Sequence, residues 1–244
     1  SIRLVGSEMC IRDRFFAWAF LLPLAMPAYI IAYTYTGILD FAGPLQSTLR
    51  ELFKWTYGDY YFPNVRSLGG AICMLTLVLY PYVYMLVRLA LSEQSTAILE
   101  ASRILGKTSW QSLFSVALPM ARPAIVAGIT LALMETLADY GTVEFFGVST
   151  FTTGIFRTWY GLGDLQTAAQ LCSFLLLFVF FLIILEKKSR NKLRFHQNKS
   201  VKKLSKINLT KGRAATAVFF AGSLVAVGFF IPAIQLLFLS LIHI

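Results

Sequence analysis

Five runs of this chain are each apolar enough, and long enough, to cross a lipid bilayer, and nothing else in the sequence constrains the fold as tightly. They cover residues 15–35, 68–91, 123–145, 167–185 and 214–241. A hydrocarbon core about 30 Å thick needs about 20 apolar residues in helical conformation. Lipid offers the backbone no hydrogen-bond partners, so every N–H and C=O must be satisfied within the segment, and runs of this length must be helices. The expected fold class is therefore all-α, a polytopic membrane helix bundle. Pro23, Pro27 and Pro232 lie inside the runs and predict kinks, because proline cannot donate to the helix ladder. Composition agrees. The chain is 57% hydrophobic and 14% charged, against about 25% charged residues in an ordinary soluble domain.

The net charge of +10 is informative through its placement. Eleven of the 22 Lys and Arg lie between Lys187 and Arg213, directly after an apolar run. Arg88, Arg103, Lys107 and Arg122 flank the second loop, so fifteen positive charges fall on one side of the membrane. Arg50, Lys54, Arg66 and Arg157 give the other side four. The positive-inside rule makes the fifteen-charge side cytoplasmic. It also explains the basic block without nucleic acid, which is not expected as a partner. Cys10, Cys73 and Cys172 have neither metal-ligand nor disulfide spacing. The acceptor-like triplets at Asn198 and Asn208 fall on the inner side, where glycosylation has no meaning.

The first outer loop carries Leu45, Leu49, Leu52 and Phe53 at helical spacing, followed by Trp55, Tyr57, Tyr60 and Tyr61. This predicts a short amphipathic helix in the outer interface, anchored by aromatic rings. It could instead present a docking surface to an external partner.

The second inner loop, residues 93–119, holds the most specific motif. Glu100-Ala101-Ser102-Arg103-Ile104-Leu105-Gly106 is followed nine residues later by Val116-Ala117-Leu118-Pro119. Two helical pieces are predicted, joined at Gly106, since glycine tolerates the backbone such a corner requires. Ala101 and Ser102 are small enough for a partner surface to approach closely, and Ser109 is the expected cap of the second piece. The pattern resembles the EAA loop of ABC importer permeases: E-A-A, three residues, glycine, nine residues, I-x-L-P. Ser102 replaces the second alanine and Val116 the isoleucine. The resemblance implies a type I ABC importer transmembrane domain, with the loop seated in a groove of a cytoplasmic ABC ATPase dimer. It assigns that coupling role to Glu100, Ala101, Ser102, Gly106, Val116, Leu118 and Pro119. Gly106-Lys107-Thr108 superficially matches the end of a phosphate-binding loop, but Ala101 stands where the earlier glycine is needed. ATP and magnesium are thus expected on the partner ATPase, with no cofactor in this chain.

Across residues 15–188 the sequence further resembles the ferric-iron branch of these permeases. The resemblance is carried by residues 21–29, Tyr80-Pro81-Tyr82-Val83-Tyr84, the run from Met134 to Val143, Gly154-Ile155-Phe156 and the Trp159-Tyr160 pair. Those proteins are double-length chains of two fused halves. On that pattern residues 15–185 form the permease domain, 186–213 a basic cytoplasmic linker, and 214–244 the first span of a second half. Residues 1–14 have the look of translated adapter read-through and are expected to be a non-native tail, the alternative being a short cytoplasmic tail. The resemblance implies a bacterial inner-membrane location, a periplasmic substrate-binding protein as partner, and alternating access as mechanism.

Glu135 and Asp139, four residues apart, are expected to share one face of the third span. A carboxylate near the bilayer centre costs about 2.5–3.5 kcal/mol, so such a residue normally faces a bundle interior or a wet path. Both are candidates for the translocation path, or for helix–helix contacts that never meet substrate. No nucleophile–base pair or metal-ligand cluster is evident. Two alternatives stay open: a permease for thiamine, polyamine or another small solute, and an intramembrane enzyme using Glu135 and Asp139.

Overall fold

The computed structural model describes residues 15–56, 59–92, 101–102, 104–191 and 211–242. Glu100 and Arg103, residues 1–14 and most of the basic linker lie outside the described residues, so the expectations placed on them are not addressed by it. Among the described residues the secondary structure is helical, without strands. Three helices are long and apolar enough to cross a membrane alone, and up to five if each of two bent pairs counts as one span.

The first run is broken rather than kinked. Residues 15–19 and a 3-10 turn Leu22–Ala25 precede α1 (Ala28–Leu39), and the chain bends by 87° between Phe15–Ala25 and Ala28–Phe53. Pro23 and Pro27 account for this, since neither can donate and Pro27 sits in extended backbone at the start of α1. A tight turn then leads to α2 (Pro44–Phe53). Gly43 is obligatory in that turn, because a Cβ there would lie 2.6 Å from the carbonyl oxygens of both Gly37 and Ile38. The second run is α3 (Leu68–Ser92), 25 residues with Pro81 buried in its middle.

After the inner loop, α4 is assembled from Ser109–Ser112, a π turn Leu113–Ala117 and Leu118–Met120. It meets α5 (Arg122–Ala138) at 65°. Here the structure departs from the expected span over residues 123–145. The helix stops at Ala138, and residues 141–145 form a separate short helix, α6 (Gly141–Phe145). Next come α7 (Phe151–Phe156), continued by a π turn Arg157–Gly161, and then α8 (Leu165–Asn191). The last run comprises α9 (Lys211–Val225), a π turn Ala226–Phe230 and α10 (Ile231–Ile242).

Among the described residues, two of the three π turns end two residues before a proline, Pro119 and Pro232. A proline ring crowds the preceding carbonyls and offers no N–H, so the helix widens there. In the last span the donor that the π register would supply to Val227 O belongs to Pro232. The Tyr35 hydroxyl of α1 donates to that carbonyl instead. This bond ties α9–α10 to α1. Around it lies the core, built from Met26, Ile31, Ala32, Tyr35, Ala71, Met74, Val78 and Phe146, with Val227, Phe229, Ala233 and Leu236 against them. The most intimate helix pair is α3 with α5, where Gly128 lets α5 approach the backbone of Val83. Small residues permit this kind of approach in membrane bundles, where packing rather than the hydrophobic effect holds helices together.

Candidate functional site

The described part of the loop between α3 and α4, residues 101–102 and 104–108, is shaped by its own hydrogen bonds. Gly106 adopts φ +82°, the left-handed conformation that closes a helix. Lys107 N donates to Ser102 O at 3.1 Å and Leu105 N to Ala101 O at 3.1 Å, which is the closing pattern of a glycine-terminated helix. The corner predicted at Gly106 is therefore present, and its backbone requires a residue tolerant of positive φ.

The second piece begins differently from expectation. Thr108, not Ser109, is the cap. Gln111 N donates to Thr108 Oγ1 at 3.3 Å, and Thr108 N to Gln111 Oε1 at 2.9 Å. This reciprocal arrangement satisfies two of the donors a helix start leaves open. Ser109 is already inside the helix. Ser102 is buried, and its hydroxyl lies 2.6 Å from that of Ser112, so it staples the first piece to α4. Ala101 is exposed, Val116, Leu118 and Pro119 are half-buried, and Ala117 and Ala121 are buried. Lys107, the residue that mimics a phosphate-binding lysine, folds back so that Nζ donates to Ser115 Oγ at 2.9 Å.

Among its described residues the loop exposes four large apolar side chains, alongside the polar Lys107, Thr108, Gln111 and Ser115. Ile104 is 86% exposed, Leu105 81%, Trp110 65% and Phe114 61%. Trp110 and Phe114, four apart on α4, stack with ring planes 18° apart and centroids at 6.1 Å. The sequence reading passed over these four residues, although a Trp and a Phe at helical spacing in a basic inner loop were a usable signal. Water is a poor solvent for such a surface, and exposed apolar patches of this kind mark interaction sites.

The two carboxylates of the third run separate. Glu135 stays on α5, exposed in this chain and within electrostatic reach of the Tyr82 ring of α3. Asp139 leaves the helix, with extended backbone at φ −68°, ψ 126°. Its Oδ1 accepts from Thr142 N at 2.9 Å and Val143 N at 3.1 Å, and its Oδ2 from Thr142 Oγ1 at 2.9 Å. The expectation that they share one helix face is thus corrected, because a free carboxylate three residues before Thr142 caps α6 better than it extends α5. The outer rim repeats the device. Thr150 caps α7, and Asp164 caps α8, the Thr167 hydroxyl and the Thr167 and Gln166 amides holding its carboxyl below the usual carboxylate range. Arg157 and Glu144 pair at 3.4 Å on the exposed rim. Asp139→Ala is expected to cost about 1–2 kcal/mol through the lost cap, read as a lower unfolding temperature in detergent, with Asp139→Asn closer to the parent. A loss of transport at unchanged stability would instead place Asp139 on the path.

A family model described as "Binding-protein-dependent transport system inner membrane component" matches residues 8–192. The Fe(3+)-transport system permease protein FbpB 2 of Haemophilus influenzae is 26% identical over 234 residues, covering 93% of this chain and 42% of that protein. The molybdenum transport system permease protein ModB of the same organism is 26% identical over 125 residues, 51% of this chain and 52% of ModB. The sulfate transport system permease protein CysT of Escherichia coli is 32% identical over 125 residues, 51% of this chain and 42% of CysT. The chain thus spans about half the length of these curated relatives. No solved structure matches it significantly.

Proposed function

The chain belongs to the family of binding-protein-dependent transport system inner membrane components, and from that premise we propose that it is an inner-membrane permease of an ATP-driven importer whose α3–α4 loop receives the force of a separate ATPase dimer. The observation that carries this reading is the glycine-cornered loop, among whose described residues Ile104, Leu105, Trp110 and Phe114 are exposed. An apolar surface held by a helix cap and a serine staple can move as one body when a partner closes on it. Substrate would arrive from a periplasmic binding protein and cross by alternating access. The ATP and magnesium would be held by the ATPase.

For the cargo we propose ferric iron. Support comes from the FbpB 2 relative, which matches along most of this chain where ModB and CysT match half. Glu135 on α5, exposed in this chain, adds a hard carboxylate donor suited to a hard cation in transit. Thiamine, polyamines, molybdate and sulfate are the competing cargoes. The intramembrane-enzyme alternative loses its acid–base pair, since both Asp139 oxygens are engaged in capping α6.

The test is co-purification of the ATPase subunit with the permease, followed by ferric-ion uptake in proteoliposomes with the binding protein present. A Trp110→Glu, Phe114→Glu double variant changes only exposed side chains, so the bundle should fold as before. Aromatic hot spots are each worth about 2 kcal/mol or more, about thirtyfold in affinity, so the ATPase is expected to be lost from the preparation. Retention of the ATPase at parental stoichiometry would refute the docking surface. Uptake of molybdate or sulfate but not iron would refute the cargo and leave the coupling intact.

A further inference from the structure

Helix α2 is amphipathic, and it turns two of its polar side chains into the protein. Gln46 is buried, its Nε2 donating to Leu39 O at 2.7 Å and its Oε1 accepting from Tyr60 Oη at 2.8 Å. One turn on, Arg50 donates to the same Tyr60 oxygen at 3.1 Å and lays its guanidinium 4.2 Å from the Phe41 ring centroid. Gln46 and Arg50 of α2 are therefore bound into the protein, while Thr48 and Glu51 stay exposed. Its apolar side is left outside, with Leu52 72% and Phe53 54% exposed and Leu45 on the same face.

We propose that this face lies in the acyl–headgroup boundary of the outer leaflet, parallel to the membrane, as a lipid anchor for the external end of the permease. Three observations select lipid as the occupant. The neighbouring spans α1 and α3 also expose apolar side chains, Tyr33, Leu68 and Ile72 being about half exposed or more. Phe53, Trp55 and Tyr60 form a ladder, with centroids 4.6 Å and then 5.4 Å apart, and amphipathic rings of this kind collect at the level of lipid headgroups. Lys54, exposed and in left-handed backbone at φ 54°, ends the helix. There its ammonium can reach phosphate while the leucines before it enter the acyl region. The turn that sets this orientation is fixed by Gly43, whose surroundings admit no side chain.

The experiment places nitroxide labels at Leu45→Cys and Leu52→Cys, singly, in the whole protein with its native cysteines replaced by serine. The protein is reconstituted in phosphatidylcholine–phosphatidylglycerol vesicles, and Asn64→Cys is the water-exposed reference. Collision with oxygen and with a water-soluble nickel chelate gives the depth of each label. Both labels are expected about 5–10 Å below the phosphates, at the same depth, and unchanged by added binding protein. Chelate accessibility equal to that at Asn64 would overturn the proposal. So would depths differing by about 10 Å, the rise of seven helical residues, since the helix would then stand upright. Shielding that appears only with the binding protein would assign the face to protein docking. None of these readings depends on transport activity, so the anchor and the proposed function can fail separately.

Discussion

Replacing Gly128 by leucine is expected to leave no folded bundle to purify, while the same change at Gly222 is expected to be nearly silent. Both glycines follow an alanine inside a membrane helix, so local sequence does not distinguish them. Their surroundings do. A Cβ built at Gly128 would sit 2.7 Å from Val83 Cα and 3.3 Å from Val83 N, with Tyr82 O at 3.4 Å. These are backbone atoms of α3 and cannot turn aside. At Gly222 a Cβ meets nothing within 4 Å. Overpacking in a filled core costs about 1–3 kcal/mol for a few methylenes, and here even the first carbon requires the helices to separate. The α3–α5 contact is also the broadest in the protein, so separation would loosen every residue along it. Gly128→Ala should lower the unfolding temperature measurably, and Gly128→Leu should appear in the aggregated fraction on size exclusion. Equal elution and unfolding for the Gly128 and Gly222 variants would mean that α3 and α5 are not packed as described.

That contrast shows where the sequence was and was not readable. Length and apolarity are local properties, so the membrane-crossing runs could be read directly. The corner at Gly106 could be read too, because a glycine between two helical pieces has few other uses. The breaks were harder. Asp139 was read as a helical residue because Glu135 lies four before it. Its real competitor was the open start of α6, which offers two amide donors and the Thr142 hydroxyl. The same competition moved the α4 cap from Ser109 to Thr108, where Gln111 three residues later completes a reciprocal pair that was present in the sequence and passed over. The inward face of α2 was not legible in principle. Gln46 finds its partners at Leu39 and Tyr60, seven and fourteen residues away, and only the folded turn at Gly43 brings them together. Tyr35 and Val227, 192 residues apart, are the extreme case.

The loop corner offers the sharpest separation of folding from coupling. Gly106→Val is expected to insert, fold and bind the ATPase weakly or normally, yet to hydrolyse ATP without moving substrate. Among the described residues beyond its chain neighbours, no atom lies within 4 Å of a Cβ built at Gly106, so the substitution meets no steric obstacle there. Its cost is conformational. Left-handed backbone penalises an L-residue by roughly 1–2 kcal/mol, and a β-branched side chain at positive φ is a true outlier. The cheapest relief is to abandon φ +82°, which breaks the Lys107-to-Ser102 bond and frees the first piece to pivot against α4. Trp110 and Phe114 would still be present, but no longer in fixed relation to Ile104 and Leu105. Closure of the ATPase would then bend the corner instead of moving the spans. Asparagine tolerates the left-handed region far better than valine, so Gly106→Asn should keep much of the parental ratio of substrate moved to ATP hydrolysed. Alanine should fall between. This ordering, measured in proteoliposomes, is set by backbone preference and not by side-chain volume. An ordering that followed volume would instead indicate that the partner packs directly on Gly106. Parental transport in the valine variant would remove the corner from the coupling path altogether.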